Sequence, residues 1–211
     1  MHTPQALARM QTVQTLLRQD VGLSAYEAPE RPCPVSFHWI PSALDLRPGE
    51  LDACLGLVHA TSGHDYAASA MGWNPRRKRD EMLDADMMYL LLRPAPAVQG
   101  CHDAILGFTS FMFTHDDPPH QDRPVLYIYE IHLHERLRGQ GLGPRLIQFV
   151  ENVARACHIR KTMLTVFTAN TRAKGMYHSL GYSRDECSPD DRTTRNKVIP
   201  AEYVIMSKSI D

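Results

Sequence analysis

The stretch from Arg123 to His158 constrains the fold most strongly, because it reads as a strand, a glycine loop and an amphipathic helix in succession. β-Branched and aromatic residues are dense from Val125 to Leu133, as a buried strand requires. Simple alternation predicts two faces of this strand: Val125, Tyr127, Tyr129, Ile131 and Leu133 on one, and Leu126, Ile128, Glu130 and His132 on the other. After the loop, apolar residues recur at helical spacing: Leu146, Phe149, Val150, Val153 and Cys157.

The loop itself predicts an anion site. Its sequence is Arg138-Gly139-Gln140-Gly141-Leu142-Gly143, and Pro144 falls just inside the following helix, where a missing N–H costs little. Glycines let backbone N–H groups approach an anion closely, and the helix N-terminus adds roughly half a positive charge. The loop therefore predicts a phosphate cradle.

The surrounding pattern narrows the kind of phosphate. No Gly-Lys-Ser/Thr ends the loop, which argues against a nucleoside triphosphate site. A dinucleotide fold needs the motif in its first βαβ unit, whereas this loop lies late in the chain. The loop contains Arg-x-x-Gly-x-Gly twice, over Arg136–Gly141 and Arg138–Gly143. It resembles the pyrophosphate loop of the GCN5-related N-acetyltransferase (GNAT) superfamily, which binds acetyl-coenzyme A as cosubstrate.

The rest of the pattern predicts an α/β chain. Helices are predicted to start near Pro4, Pro48, Pro75 and Asn170. The second is expected to be interrupted at Thr61–Gly63, and the last to end before Gly181. The further predicted strands are 35–40, 86–93, 104–113, 163–167 and 202–207. Residues 188–196 are polar and expected to be mobile. The resemblance implies the superfamily's fold, a mixed, mostly antiparallel central sheet flanked by helices in a single domain. We predict an N-terminal helix and connector over residues 1–34 and the acetyltransferase domain over residues 35–211.

Composition excludes several classes of protein. Of 211 residues, 43% are hydrophobic and 22% charged, as in soluble globular domains, and a net charge of −1 gives no support to direct nucleic-acid binding. Five cysteines without a CxxC pair are expected to be reduced: Cys33, Cys54, Cys101, Cys157 and Cys187. No apolar run approaches the about 20 residues of a membrane span. The first 20 residues favour a helix packed on the domain, with a mitochondrial presequence as the alternative.

Four blocks resemble one subfamily, N-alpha-acetyltransferase D, over about residues 20 to 207: MGWNPRRKRDEM (71–82), LYIYEIHL (126–133), RGQGLGPRLIQ (138–148) and MLTVFTAN (163–170). The subfamily carries Trp-Gly-Trp in the first block, where Met71 replaces the first Trp. The resemblance implies acetylation of the N-terminal amine of histone four and histone two-A, which begin Ser-Gly-Arg-Gly, by a monomer in the nucleus and cytoplasm.

The resemblance also implies site residues. Cofactor contacts fall on Ile131, His132, Leu133, Arg138, Gly139, Gln140, Gly141, Leu142, Gly143, Pro144 and Asn170. Peptide contacts fall on Tyr66, Trp73, Thr114, His115, Asp116, Tyr129, Thr165, Cys187 and Tyr203. Asp116 is expected to hold the substrate arginine, and Asp117 is the alternative. These acids could instead simply form a solvated turn.

Catalytic roles are predicted for Glu130, Tyr129 and Tyr177. Glu130 is the expected general base, acting directly or through water, because a carboxylate within an apolar strand is costly unless it is paired or used. Tyr177 is either a general acid for the leaving thiolate or a core aromatic residue, and Asn170 either a cofactor contact or only a helix cap. His132 and His134 lack a third ligand, so no metal is expected.

The sequence leaves two further questions open, the role of a basic run and the nature of the acceptor. The basic run Arg76–Arg79 is expected to form a solvated helix face paired with Asp80 and Glu81, although it could bind nucleic acid or a phosphorylated ribose. The chain could also act on another amine, such as a lysine or a small molecule, or be a non-catalytic acyl-coenzyme A-binding module.

Overall fold

The chain contains both helices and strands, and the computed structural model describes residues 4–19, 23, 34–95, 104–195 and 197–211. Within these ranges the helices are α1 (Pro4–Gln19), α2 (Glu50–Ala68), α3 (Pro75–Met82), α4 (Leu142–Ala156) and α5 (Thr171–Ser179). The strands are β1 (Val35–Ile40), β2 (Met88–Pro94), β3 (Gly107–His115), β4 (Pro124–Leu133), β5 (Lys161–Phe167), β6 (Ser183–Arg184), β7 (Arg192–Thr193), β8 (Val198–Ile199) and β9 (Tyr203–Ser209). Short 3₁₀ turns occupy Ala43–Asp45 and Glu135–Leu137.

Seven strands form one sheet in the order β1-β2-β3-β4-β5-β9-β6. The β4–β5 pair is parallel, since α4 carries the chain across between them, and the other pairs in this sheet are antiparallel. The predicted α/β architecture, a mixed and mostly antiparallel sheet in a single domain, is therefore confirmed.

Both faces of the sheet are covered by helices. One face packs on α1 and α4 through a core that includes Val13, Leu126, Leu146 and Val150. The other packs on α2 and α3 through Val58, Met82, Tyr89 and Phe108, among others. Strand β2 is buried along its whole length because alternate residues serve the two cores, Leu90 the first and Leu91 the second.

Helix α1 packs against α4, with Leu16 and Leu17 on the core. The predicted boundary at residue 34 stays a prediction, since most of the connector lies outside the described residues. Helix α2 is unbroken, so the interruption predicted at Thr61–Gly63 is wrong. The glycine at position 63 leaves room for the His59 ring one turn earlier, since a Cβ there would come within 2.7 Å of that ring. No helix of the described residues is long and apolar enough to cross a membrane.

The C-terminal segment includes two short paired strands, β7 and β8. β7 pairs with β8, within and just after the range 188–196 that the sequence marked as polar. Strand β9 returns to the sheet, between β5 and the short edge strand β6, as the final hydrophobic stretch predicted. The residues between these strands bring Glu202 against the loop that follows α2, where its carboxylate accepts the Ala70 N–H.

Candidate active site

The cleft lies where the two parallel central strands separate. β4 and β5 pair at Leu126 with Thr162, Tyr127 with Met163 and Ile128 with Leu164, and the recorded pairing ends there. Beyond this point the strands line opposite walls of a cleft of about 900 Å³, β4 through residues 129–133 and β5 through residues 165–167. The separation leaves strand backbone groups without ladder partners, so they are open to a ligand.

A β-bulge sets which side chains face this cleft. Ser110 of β3 pairs with Glu130 while the next residue, Phe111, pairs with Ile128, so Tyr129 is the extra residue in β4. Before the bulge, Leu126 and Ile128 belong to the α4 side; after it, Ile131 and Leu133 pack on that same side. The simple alternation expected from the sequence is therefore wrong after Ile128, because one inserted residue exchanges the faces.

The bulge directs Glu130 and His132 toward α2 and α3. Glu130 is only 7% exposed, and the ammonium of Lys78 lies 2.5 Å from its Oε1. Its Oε2 faces Nε2 of His132, which therefore carries the hydrogen, and His132 Nδ1 lies 2.5 Å from the Thr61 hydroxyl. Burial alone would raise the pKa of Glu130, but His132 and Lys78 outweigh it and lower that pKa, so the carboxylate stays charged at neutral pH.

The glycine loop closes the other end of the cleft. Gly139 and Gly141 adopt φ of 74° and 79°, which a residue with a Cβ rarely takes, and Gly141 caps α4. A Cβ at either glycine would meet nothing within 4 Å, so the loop presents bare backbone to open space. Together with the helix N-terminus, this surface fits the pyrophosphate of a coenzyme A donor.

Four tyrosines surround the carboxylate end of the cleft: Tyr66, Tyr127, Tyr129 and Tyr177. Burial raises the pKa of each, so all four hydroxyls are protonated at neutral pH. The Tyr127 hydroxyl is bonded to Thr165 at 2.5 Å. For Tyr177, no hydrogen bond of the hydroxyl is found among the described residues, although its ring packs on the α4 core. That hydroxyl is thus available to a ligand.

The structure brings most of the predicted site residues together. The cleft is lined by Ile131, His132, Leu133, Arg138, Gly139, Gly141, Leu142, Gly143, Pro144, Asn170 and Tyr177 on the loop side, and by Tyr66, Thr114, His115, Tyr129, Glu130 and Thr165 on the carboxylate side. Asn170 also caps α5 by accepting the Ala173 N–H at 3.1 Å, so both roles expected for it are compatible. Gln140 bonds instead to the Arg136 carbonyl at 2.6 Å and does not line the cleft.

Asp116 does not reach the cleft, contrary to expectation. Its side chain is buried, with the Lys161 ammonium 2.7 Å and the Arg123 guanidinium 3.4 Å from Oδ2. Asp117, the alternative, lines the cleft beside Thr114 and His115. The reason is local: Asp116 points inward at the base of the β3–β4 connection, while the next residue points outward.

Three further predicted contacts lie away from the lining. Trp73 packs edge to face against Tyr66, with ring centroids 5.4 Å apart, and so supports the wall without forming it. Cys187 and Tyr203 pack with Val125 and Met163 in a small core beside the sheet. Burial and the neighbouring Asp185 raise the pKa of Cys187 to about 12, so its thiol is protonated.

Asp116, Asp185 and Cys187 have metal-ligand spacing among the described residues, but Lys161 lies 2.7 and 2.6 Å from the two carboxylates. The Lys161 ammonium and the Arg123 guanidinium, the latter 3.4 Å from Asp116, thus already balance the charge of the two carboxylates.

Sequence reasoning missed two residues beside Glu130. Lys78 was assigned to a solvated helix face, but it is 8% exposed and lines the cleft, so that interpretation is wrong for Lys78. A signal was present: Lys78 lies four residues before the buried Met82, on the same face of α3. Thr61 was taken as part of a helix break, whereas it lies on α2 and bonds His132. The pairing of Lys78 with Glu81, at 2.7 Å, agrees with the sequence.

Comparison with known proteins gives the family. N-alpha-acetyltransferase 40 of Saccharomyces cerevisiae is 35% identical over a 164-residue alignment that covers 66% of this chain and 53% of the yeast protein. The chain spans about half the length of the curated relatives it matches. Arabidopsis thaliana NAA60 in complex with a bisubstrate analogue superposes with a TM-score of 0.59 at 12% identity, over 83% of this chain and 100% of that one. The same protein in complex with acetyl-CoA gives 0.58 at 13%, over 83% and 98%.

These structural likenesses concern the fold alone. A model of the acetyltransferase (GNAT) family matches residues 64–182, which is more than half of the sequence and includes the separated strands, the glycine loop and Tyr177. The chain belongs to the acetyltransferase (GNAT) family.

Proposed function

We propose that this protein is an N-terminal acetyltransferase that moves an acetyl group from acetyl-coenzyme A to the α-amine of a protein. The observation that carries the proposal is the cleft between β4 and β5, with a phosphate-binding loop at one end and a buried, charged carboxylate at the other. The 35% identical yeast relative bears the name N-alpha-acetyltransferase 40, which supports the same class of acceptor.

The donor fits the loop end of the cleft. The backbone amides of residues 139–143 and the start of α4 would hold its pyrophosphate, and Asn170 and the open β4 backbone would hold the chain beyond it. Bound acetyl-coenzyme A supplies a thioester whose carbonyl carbon is open to attack. The amine nitrogen forms the new C–N bond, the C–S bond breaks, and the leaving sulfur takes a proton. That proton would come from the Tyr177 hydroxyl, which lines the cleft and has no hydrogen bond among the described residues.

The acceptor must be neutral before it can attack. An α-amine titrates at about 8 and a lysine at about 10.4, so deprotonation of an N-terminus costs roughly 3 kcal/mol less. Glu130, charged and anchored by Lys78 and His132, would receive the amine proton directly or through a water. A carboxylate with a lowered pKa is a modest base, which suits an α-amine better than a lysine.

The acceptor we infer is a tail that begins Ser-Gly-Arg-Gly, as in histones four and two-A. Tyr66 and Tyr129 line the carboxylate end and would leave room for glycine at the second position. Asp117 lines the same cleft and would pair with the arginine, in place of the buried Asp116. Histone tails as partners imply a nuclear and cytoplasmic protein, and we propose that it works there as a monomer.

The test is coenzyme A release with a set of amines. A Ser-Gly-Arg-Gly peptide is expected to be acetylated, while its N-acetylated form, which keeps any lysine free, is not. Release with the blocked peptide or with polyamines would assign a different acceptor. Absence of release with every amine, in protein that still binds acetyl-coenzyme A, would identify a binding module instead.

A further inference from the structure

Lys78 is held inside the cleft by contacts on several sides. Its ammonium lies 2.5 Å from Oε1 of Glu130, 2.7 Å from Oε1 of Glu81 and 5.3 Å from the centre of the Tyr66 ring. The residue is 8% exposed and its side chain lines the same cleft as Glu130. Burial alone would lower the pKa of Lys78, but the carboxylates of Glu130 and Glu81 outweigh it and raise that pKa.

We propose that Lys78 is a positioning residue that neutralises the charge of Glu130, so that the carboxylate accepts a proton from the substrate amine without trapping the amine as an ammonium ion. This inference rests on the proposed function and adds a role that concerns the ionisation of the bound substrate. Lys78 acts through Glu130 and is not itself the base, because its ammonium remains protonated between two carboxylates.

The reason is electrostatic. A carboxylate with little access to water attracts an ammonium strongly, and an opposite charge within about 4–6 Å raises the pKa of an amine. Such an ion pair would hold the substrate in its unreactive, protonated form. With Lys78 against Oε1, the pair of Lys78 and Glu130 has no net charge, and a bound α-amine keeps a pKa near its free value.

Among the titratable groups around this pair, Lys78 supplies the positive charge that balances Glu130. From β4 come His132 and the Tyr129 phenol, from α2 Tyr66, from α3 Glu81, and nearby lie the phenols of Tyr89 on β2 and Tyr177 on α5. Burial raises the pKa of these four phenols, so they are neutral. Glu81 is half-exposed and pairs with Lys78. Among the described residues, Lys78 is therefore the firmly protonated amine that faces Glu130.

The experiment compares Lys78→Met, Lys78→Arg and a matched control, Lys208→Met. Lys208 lies 2.7 Å from the buried Glu151 and does not line the cleft, so its loss removes a similar pair elsewhere. In Lys78→Met, the acidic limb of the pH profile of kcat should move up by about one pH unit, which lowers kcat at pH 7 about tenfold. KM at pH 7 should fall or stay constant, and at pH 9.5 kcat should return to within about threefold of wild type.

Lys78→Arg should keep the wild-type limb, since it keeps the charge, and Lys208→Met should change neither limb nor KM. A kcat that stays low at pH 9.5, or a raised KM, would mean that Lys78 is merely structural and would overturn the inference. If Lys78→Met does not fold, the wild-type protein supplies the test. The acidic limb of its pH profile of kcat should lie at or below the pKa of the free amine. A limb one pH unit above that pKa would contradict the inference. Wild-type protein that acetylates no amine would contradict the proposed function instead.

Discussion

The ring of Tyr66 meets the ring of Phe167 edge to face, with centroids 4.9 Å apart, and so joins the end of β5 to α2 across the cleft. The same tyrosine rests on Trp73 and over Lys78, which fixes its position from behind and below. A side chain held on three sides cannot move aside for a bulky substrate. Tyr66 therefore makes the part of the wall that can select a small residue.

Tyr66→Ala should weaken selection at the second substrate residue. We expect the preference for Ser-Gly-Arg over Ser-Ala-Arg peptides to fall about tenfold, because one methyl group in a tight pocket is worth about 1–3 kcal/mol. Tyr66→Phe keeps the ring and its contacts and should leave the preference within about twofold. The measurement is kcat/KM for both peptides with each variant, and an unchanged ratio in Tyr66→Ala would remove Tyr66 from the wall.

Glu130→Gln should abolish most turnover and keep coenzyme binding. Loss of a positioned proton acceptor costs about 10²–10⁴-fold in rate. Because His132 and Lys78 lower the pKa of Glu130, the carboxylate is charged throughout pH 6–9. Its loss should therefore reduce kcat over that whole range rather than shift a limb within it.

Glu151→Gln is the matched control for this variant, since Glu151 is also buried and paired with a lysine but lies on α4 away from the cleft. It should retain wild-type kcat. Equal loss in the two variants would trace the effect to stability and not to proton transfer.

The sequence was sufficient for the fold because local signals agreed along most of the chain. The glycine loop, its strand and its helix are contiguous, so their order alone predicts a phosphate cradle between β4 and α4. The site was less predictable in β4, where one inserted residue changes which face of the sheet the following side chains occupy. Tyr129 bulges, and the faces of Ile131 and His132 exchange as a result, which alternation cannot reveal.

Charged residues were hardest to place, since a carboxylate or an amine can be buried when its partner comes from another part of the chain. Lys78 forms an ion pair with Glu130, 52 positions later in the chain, and Asp116 forms one with Lys161, 45 positions later. Neither pair has local spacing that would predict it. The adjacent Asp116 and Asp117 differ only in which side of the chain they face, which the hairpin geometry decides.

Asp117→Ala should reproduce the effect of replacing the substrate arginine by alanine. A hydrogen bond to a charged group contributes about 1.5–3 kcal/mol, so each change alone should lower kcat/KM roughly ten- to hundredfold. Together they should cost little more than either alone. Fully additive losses in that double-mutant cycle would show that Asp117 and the arginine do not meet.

Asp116→Ala tests the buried neighbour in the same loop. Since its carboxylate bonds Lys161 in the interior, its removal should lower Tm by roughly 5–10 °C. Asp117→Ala, at the cleft, should leave Tm nearly unchanged. Thermal unfolding of the two variants therefore separates a structural carboxylate from a substrate-binding one, and the reverse order of Tm values would exchange their roles.

The left-handed turn of the glycine loop shapes the surface that faces the coenzyme end of the cleft. Gly141→Ala should weaken coenzyme A binding, because Gly141 holds φ at 79° and a Cβ disfavours that region by about 1–2 kcal/mol. The added methyl would have free space, so the backbone conformation is the quantity tested. We expect the Kd from calorimetry to rise about tenfold, as the loop relaxes away from the cradle.

Gly56 supplies the control, since it lies within α2 and a Cβ there also meets nothing within 4 Å. Gly56→Ala should leave coenzyme A binding unchanged and stabilise the protein by about 1 kcal/mol, because alanine favours a helix interior. Opposite results at the two glycines would show that the positive φ at Gly141, and not the space around it, forms the phosphate cradle. Unchanged binding in Gly141→Ala would mean that the start of α4 holds the anion without the loop's left-handed turn.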